Sequence, residues 1–253
     1  MDDATGRGAA CGTTCRVTIA LVLGCALLGV VVGALLEPIV SEVPAGARPS
    51  LRSRATKLAD DRPANRRIIL ALTTGAVFAA LAWAIGPTAA LPAFLFLGAV
   101  GVALGAIDLE HHRLPNALTL PSYVIGAALL AVAVPLSDSA TWDTYLRALL
   151  GCAALFAFYF VLALIYPAGM GFGDVKLAGV LGLYLGWLGW GPLVVGAFLG
   201  FLLGAVVGLA LMATRRMTRK SRIPFGPFML VGALLAIVFG EAIAAAYVGS
   251  ITT

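Results

Sequence analysis

Charge is scarce in this sequence: 11% of its 253 residues are Asp, Glu, Lys or Arg, while 61% are hydrophobic. An ordinary soluble domain carries about a quarter charged residues, so that class is excluded. Histidine is scarcer still, His111 and His112 being the two present. Neighbouring side chains diverge on a helix, and no H-E-x-x-H or comparable spacing occurs, which argues against a metalloprotease. The four cysteines include no C-x-x-C pair, so a structural zinc site is not expected either. Cys11 and Cys15 frame CGTTC and either bridge or stay as free thiols, whereas Cys25 and Cys152 fall inside apolar runs.

What the chain has in abundance is apolar sequence in bilayer-sized lengths. A hydrocarbon core of about 30 Å requires roughly 20 apolar residues per helix. Such runs occupy 17–36, 68–86, 88–107, 117–135, 146–166 and 226–248. The stretch from Leu177 to Met212 is too long for one crossing and is expected to break at Trp190-Gly191-Pro192. The expectation is therefore an all-α polytopic membrane protein with about eight transmembrane helices. Small residues in VPAGA (43–47) follow the first run as a signal-peptide site would. That run exceeds the roughly 7–15 residues of a signal peptide's apolar core, so it is read as a retained span. Residues 1–67 then form a first span with a short basic loop, and 68–253 the main transmembrane domain.

Lys and Arg set the expected orientation. Seven of them crowd the loop 37–67 and five lie between Arg215 and Arg222, so both loops are expected in the cytoplasm. Eight spans then put both termini outside, with the acidic loop LSDSATWDTY (136–145). The net charge of +5 is accounted for by this topology signal and by anionic lipid headgroups, without a nucleic acid partner. Within the seventh span, Gly196, Gly200, Gly204 and Gly208 recur every four residues, a stripe that lets another helix backbone approach.

Two carboxylates stand out against this background. Asp108 closes the third span in GVALGAIDLEHHRLPN, and Asp174 opens the sixth in GMGFGDVKLAGV. The derived topology places both at the cytoplasmic boundary, where they can meet. An ionisable group in or beside a bilayer is a candidate for function. Gly169, Gly171 and Gly173 precede Asp174, so the backbone there can take positive φ angles and a substrate strand can come close without hitting a Cβ. Two carboxylates sharing a site cannot both ionise easily, so one can activate water while the other, still protonated, donates to the carbonyl under attack. Lys176 is two residues beyond Asp174 and does not share its helix face; it is read as an interfacial or substrate-orienting cation.

These residues resemble a known family. GFGD (171–174) followed by VKL is similar to the GxGD signature of intramembrane aspartyl proteases in the form found in type IV prepilin peptidases. IDLEHHRLPNALTLP (107–121) is similar to that family's first aspartate motif, and IPFGPFMLVG (223–232) to its Pro-Phe-Gly-Pro segment. The resemblance covers about residues 91–235. It implies that Asp108 and Asp174 are the catalytic pair and that Gly171 and Gly173 are the glycines of the second motif. Pro115 and Asn116 match as turn-formers, and Pro224, Phe225, Gly226 and Pro227 as a segment shaping the site. The implied substrates are prepilins or pseudopilins, whose leader is removed at the cytoplasmic face of the cell membrane just ahead of an apolar helix. The implied proteolysis needs no cofactor. Larger members also N-methylate the product with S-adenosylmethionine and carry a zinc-binding cysteine domain after the first span. Here the loop 37–67 is short and has no cysteine, so S-adenosylmethionine is expected only if methylation is retained. A small transporter using the aspartates to bind a cation or proton is the alternative, for which a midplane site would be expected.

Overall fold

The computed structural model describes residues 4–42, 62–165, 170–214 and 224–252. Eight helices account for them almost entirely: α1 (Ala4–Glu42), α2 (Arg62–Ile85), α3 (Leu91–His111), α4 (Asn116–Ala133), α5 (Trp142–Ile165), α6 (Phe172–Leu188), α7 (Trp190–Ala213) and α8 (Gly226–Thr252). There is no strand among the described residues. Six of the helices are long and apolar enough to cross a membrane. The shorter two are α6, with 17 residues, and α8, whose apolar stretch is Gly226–Gly240. The protein is a multi-pass, all-helical membrane protein.

Helix limits depart from the apolar runs for local reasons. Helix α1 extends well before and beyond 17–36, and α2 begins at Arg62, so Arg66 and Arg67 lie on its first turns rather than in a linker. The long apolar stretch divides at Gly189 (φ 158°, ψ 173°), not within Trp190-Gly191-Pro192. Those three residues form the first turn of α7, where proline's missing N–H costs no helical hydrogen bond. The loop 43–61, VPAGA within it, Gly169 and the basic residues 215–222 lie outside the described residues, as do the side chains of Cys11 and Cys15.

Helix α6 is the centre of the bundle. From Asp174 to Trp187 almost every residue is buried, and the helix touches α4, α5, α7 and α8. The outer helices instead turn large apolar side chains such as Leu27, Val124, Leu164 and Val194 outward, as a lipid-facing surface requires. Close backbone packing fixes the pairs. Facing positions 196/236, 200/232 and 192/240 show that α7 and α8 run antiparallel, with the α7 glycine stripe against α8 as the sequence led us to expect. Gly151 on α5 meets Gly182 on α6 backbone to backbone, with Arg147 beside Gly186, so this pair is antiparallel too. Arg147 donates to the carbonyls of Gly186 and Trp187 at 2.9 and 2.8 Å, satisfying acceptors that the end of α6 leaves open. This arrangement brings the last turn of α3 and the first turns of α4, α6 and α8 to one end of the bundle.

Candidate active site

Asp174 is the third residue of α6 and Gly171 its N-cap. The Gly171 N–H donates to Asp174 Oδ2 at 3.1 Å, and the Asp174 N–H returns a bond to the Gly171 carbonyl at 3.0 Å. A carboxylate near a helix start is favoured by the helix dipole and the unpaired N–H groups there. Burial of Asp174 (9% exposed) shows that it does more than decorate a surface cap.

The described glycines of this corner supply room rather than positive φ. Gly171 has φ −76° and ψ 148°, and Gly173 is helical; the positive-φ glycines among the described residues are Gly86 and Gly189. What Gly173 contributes is the absence of a side chain. A Cβ there would lie 3.0 Å from Leu114 Cβ, tighter than normal packing allows.

Asp108 comes from the last turn of α3 and is 4% exposed. Its partner is distant in sequence: the N–H of Gly226, the first residue of α8, donates to Asp108 Oδ2 at 3.2 Å. The free N–H at the start of one helix is thus satisfied by a carboxylate at the end of another. A Cβ on Gly226 would lie 2.7 Å from that same oxygen, so any side chain there would push the carboxylate off its hydrogen bond. The two carboxylates are within electrostatic reach of each other. Leu114 joins their supports, because the space beside Gly173 and the space beside Gly226 both end on its side chain. Among the described residues neither Oδ1 accepts a hydrogen bond, which leaves one oxygen of each carboxylate available to a water or a peptide.

The other predicted residues gather at the same end. Pro115 is the N-cap of α4 and Asn116 its first residue, and three residues before Pro115 His112 turns the chain with φ 51°. Lys176 donates to Asn116 Oδ1 at 2.8 Å and lies 4.8 Å from the centre of the Phe172 ring, away from Asp174 as its spacing requires. Phe225 packs against Phe201 and Tyr159, with ring centres 5.3 and 6.3 Å away, and so wedges the start of α8 into the bundle. Pro227 stands in the first turn of α8, where proline is tolerated. Pro224 directly precedes this wedge. At the rim, Arg66 on α2 pairs with Glu110 on α3 at 2.9 Å.

Two residues were missed by sequence reasoning. Leu114 stood in the quoted motif as the aliphatic residue before Pro115, but its contact with both carboxylate supports is tertiary. Tyr159, buried on α5, lies within electrostatic reach of Asp174 and stacks on Phe201 with centres 5.1 Å apart. An isolated Tyr in an apolar run gives no signal of that placement.

Comparison with known proteins bears on this geometry. Residues 94–209 match the sequence model of the type IV leader peptidase family. Over this stretch the chain belongs to that family. The matched stretch contains both aspartates and the glycines at 171 and 173, and ends before Pro224–Pro227. Similar proteins include several with the name prepilin leader peptidase/N-methyltransferase. That of Aeromonas salmonicida strain A449 is 34% identical over 186 residues, 72% of this chain and 61% of the relative. That of Stutzerimonas stutzeri is 30% identical over 181 residues, 71% and 60% of the two chains, and that of Pseudomonas aeruginosa 31% over 180 residues, with the same shares. The chain thus spans about three fifths of these type IV leader peptidase relatives. No solved structure matches the chain at a significant level.

A groove adjoins the site. It has a volume of about 270 Å³, runs between α2, α3 and α8, and is lined by aliphatic residues and glycines, with Thr73 contributing a hydroxyl. It offers neither charged partners nor an aromatic shelf for a nucleoside-type methyl donor, so no methyl-transfer step is assigned to it.

Proposed function

We propose that the chain is an aspartic endopeptidase that removes the leader of prepilin-like or pseudopilin precursors at the cytoplasmic face of the cell membrane, with Asp108 and Asp174 as its dyad. The observation that carries this reading is the convergence of two buried carboxylates at one end of the bundle, each held through Oδ2 by a backbone N–H. Membership of the leader peptidase family supports the substrate class.

The chemistry follows from the pair. Like charges brought together favour a state in which the dyad holds one proton. The ionised carboxylate takes a proton from a bound water as its oxygen attacks the scissile carbonyl, while the protonated partner donates to the carbonyl oxygen. Collapse of the tetrahedral intermediate breaks the C–N bond, and the carboxyl that gained the water proton delivers it to the leaving amine. Gly171 and Gly226 fix the carboxylates, and the free Oδ1 atoms face the reaction. Proteolysis on this scheme uses no metal or cofactor, and the membrane is the partner that holds enzyme and substrate at one depth.

Location of both acids at one end of the bundle, rather than mid-span, sets this reading apart from the transporter alternative. The test is incubation of the purified protein with a full-length precursor that has a basic leader and an apolar helix, read by mass spectrometry. Loss of the leader mass is expected, and a further methyl-sized increment would reveal a second activity. An intact precursor across several such substrates would refute the proposal.

A further inference from the structure

The groove between α2, α3 and α8 has a direction. At one end it is lined by Leu109 and Pro227, the chain neighbours of Asp108 and Gly226, so it opens directly beside the bonded pair. At the other it ends at Leu81 and Ile237, beyond which Trp83 on α2 and Phe239 on α8 meet edge to face with centres 6.5 Å apart. Between these ends the lining on α2 runs from Ile69 to Leu81, about 18 Å of helix. Along α3 it is lined by Gly98, Gly101 and Gly105, against which Leu81, Val77 and Leu230 pack closely. The outer lips are apolar and exposed: Ile69 at 62%, Leu109 at 62% and Val231 at 48%.

We propose that this groove seats one face of the apolar helix of the precursor, an inference that rests on the peptidase reading above. A helix about 10–12 Å across cannot enter 270 Å³ over that length, so its backbone lies outside and its side chains fill the groove. A lined path of this length receives about three helical turns. Its mouth at Asp108 places the peptide just ahead of the seated helix against the dyad, which is where the scissile bond of such a precursor falls. An acyl chain would also suit an apolar groove, but it carries no peptide bond whose position the groove's mouth would have to set.

The experiment places a photo-cross-linking amino acid singly at Thr73, at Val231 and at Val161, a 51% exposed residue on α5 remote from the groove. The background is the full chain with Asp174→Asn, co-expressed with a full-length precursor, so capture does not depend on cleavage. Cross-links from 73 and 231 to the precursor's apolar helix, absent from 161, are the expected result. In parallel, Thr73→Trp in the otherwise unaltered protein fills the groove and is expected to raise KM about tenfold with kcat retained, the signature of lost ground-state docking. Equal capture at 161, capture of lipid alone at 73 and 231, or unchanged kinetics for Thr73→Trp would each overturn the proposal. Cross-links without cleavage by the unaltered protein would uphold docking and refute the peptidase reading; cleavage without cross-links would do the reverse.

Discussion

Replacing Gly226 by Ala adds one methyl group at the most constrained point of the site. The new Cβ would lie 2.7 Å from Asp108 Oδ2 and 3.4 Å from its Cγ, whereas ordinary contact begins near 3.4 Å. The carboxylate oxygen must therefore retreat by about 0.7 Å, which lengthens a hydrogen bond that is already 3.2 Å. Misplacement of a reacting group by about 1 Å can cost on the order of 10²-fold. The expected loss in kcat/KM is accordingly about 10²-fold, or about 2.7 kcal/mol of transition-state stabilisation. Folding should survive, because alanine is the better helix former by about 1 kcal/mol. The assay is precursor cleavage by the purified variant, with thermal unfolding in detergent as the control. A well-folded Gly226→Ala enzyme within about twofold of the original rate would refute the claim that this N–H and this space position Asp108.

Gly173→Val should lower kcat/KM at least about tenfold, because the branched side chain must displace Leu114, and Leu114→Ala in the same chain should restore part of the loss. A fully active Gly173→Val enzyme, or a double variant no better than the single, would contradict that contact. Treatment with a zinc chelator should leave cleavage within about twofold of the untreated rate if the dyad alone activates water. Activity lost to the chelator and restored by zinc would overturn the metal-free scheme.

Much of the fold was legible because the signal was local. Spans, their order and the end of the bundle that carries Asp108 and Asp174 follow from runs of apolar residues and from counting crossings. Pro115 and Asn116 start α4 as the sequence indicated, and Gly196, Gly200 and Gly204 face α8. The glycines around Asp174 were read for backbone freedom and for the approach a missing Cβ allows; Gly171 takes an extended conformation open to any residue, and the space beside Gly173 is met by Leu114. The bond from Gly226 to Asp108 joins residues 118 apart in sequence and depends on how α8 enters the bundle, which Phe225 sets by packing on Phe201 and Tyr159. Such contacts leave no periodicity to read. The groove is equally silent, since its lining residues are drawn from four separate apolar runs of the sequence.

The central claim is that two aspartates act as one catalytic unit, and the most direct measurement compares Asp108→Asn, Asp174→Asn and the unaltered protein, each purified from membranes, on the same precursor. The account predicts leader removal by the unaltered protein and none by either variant, with all three equally folded, because each carboxyl has a role the other cannot fill. Cleavage at an ordinary rate by either variant would contradict it.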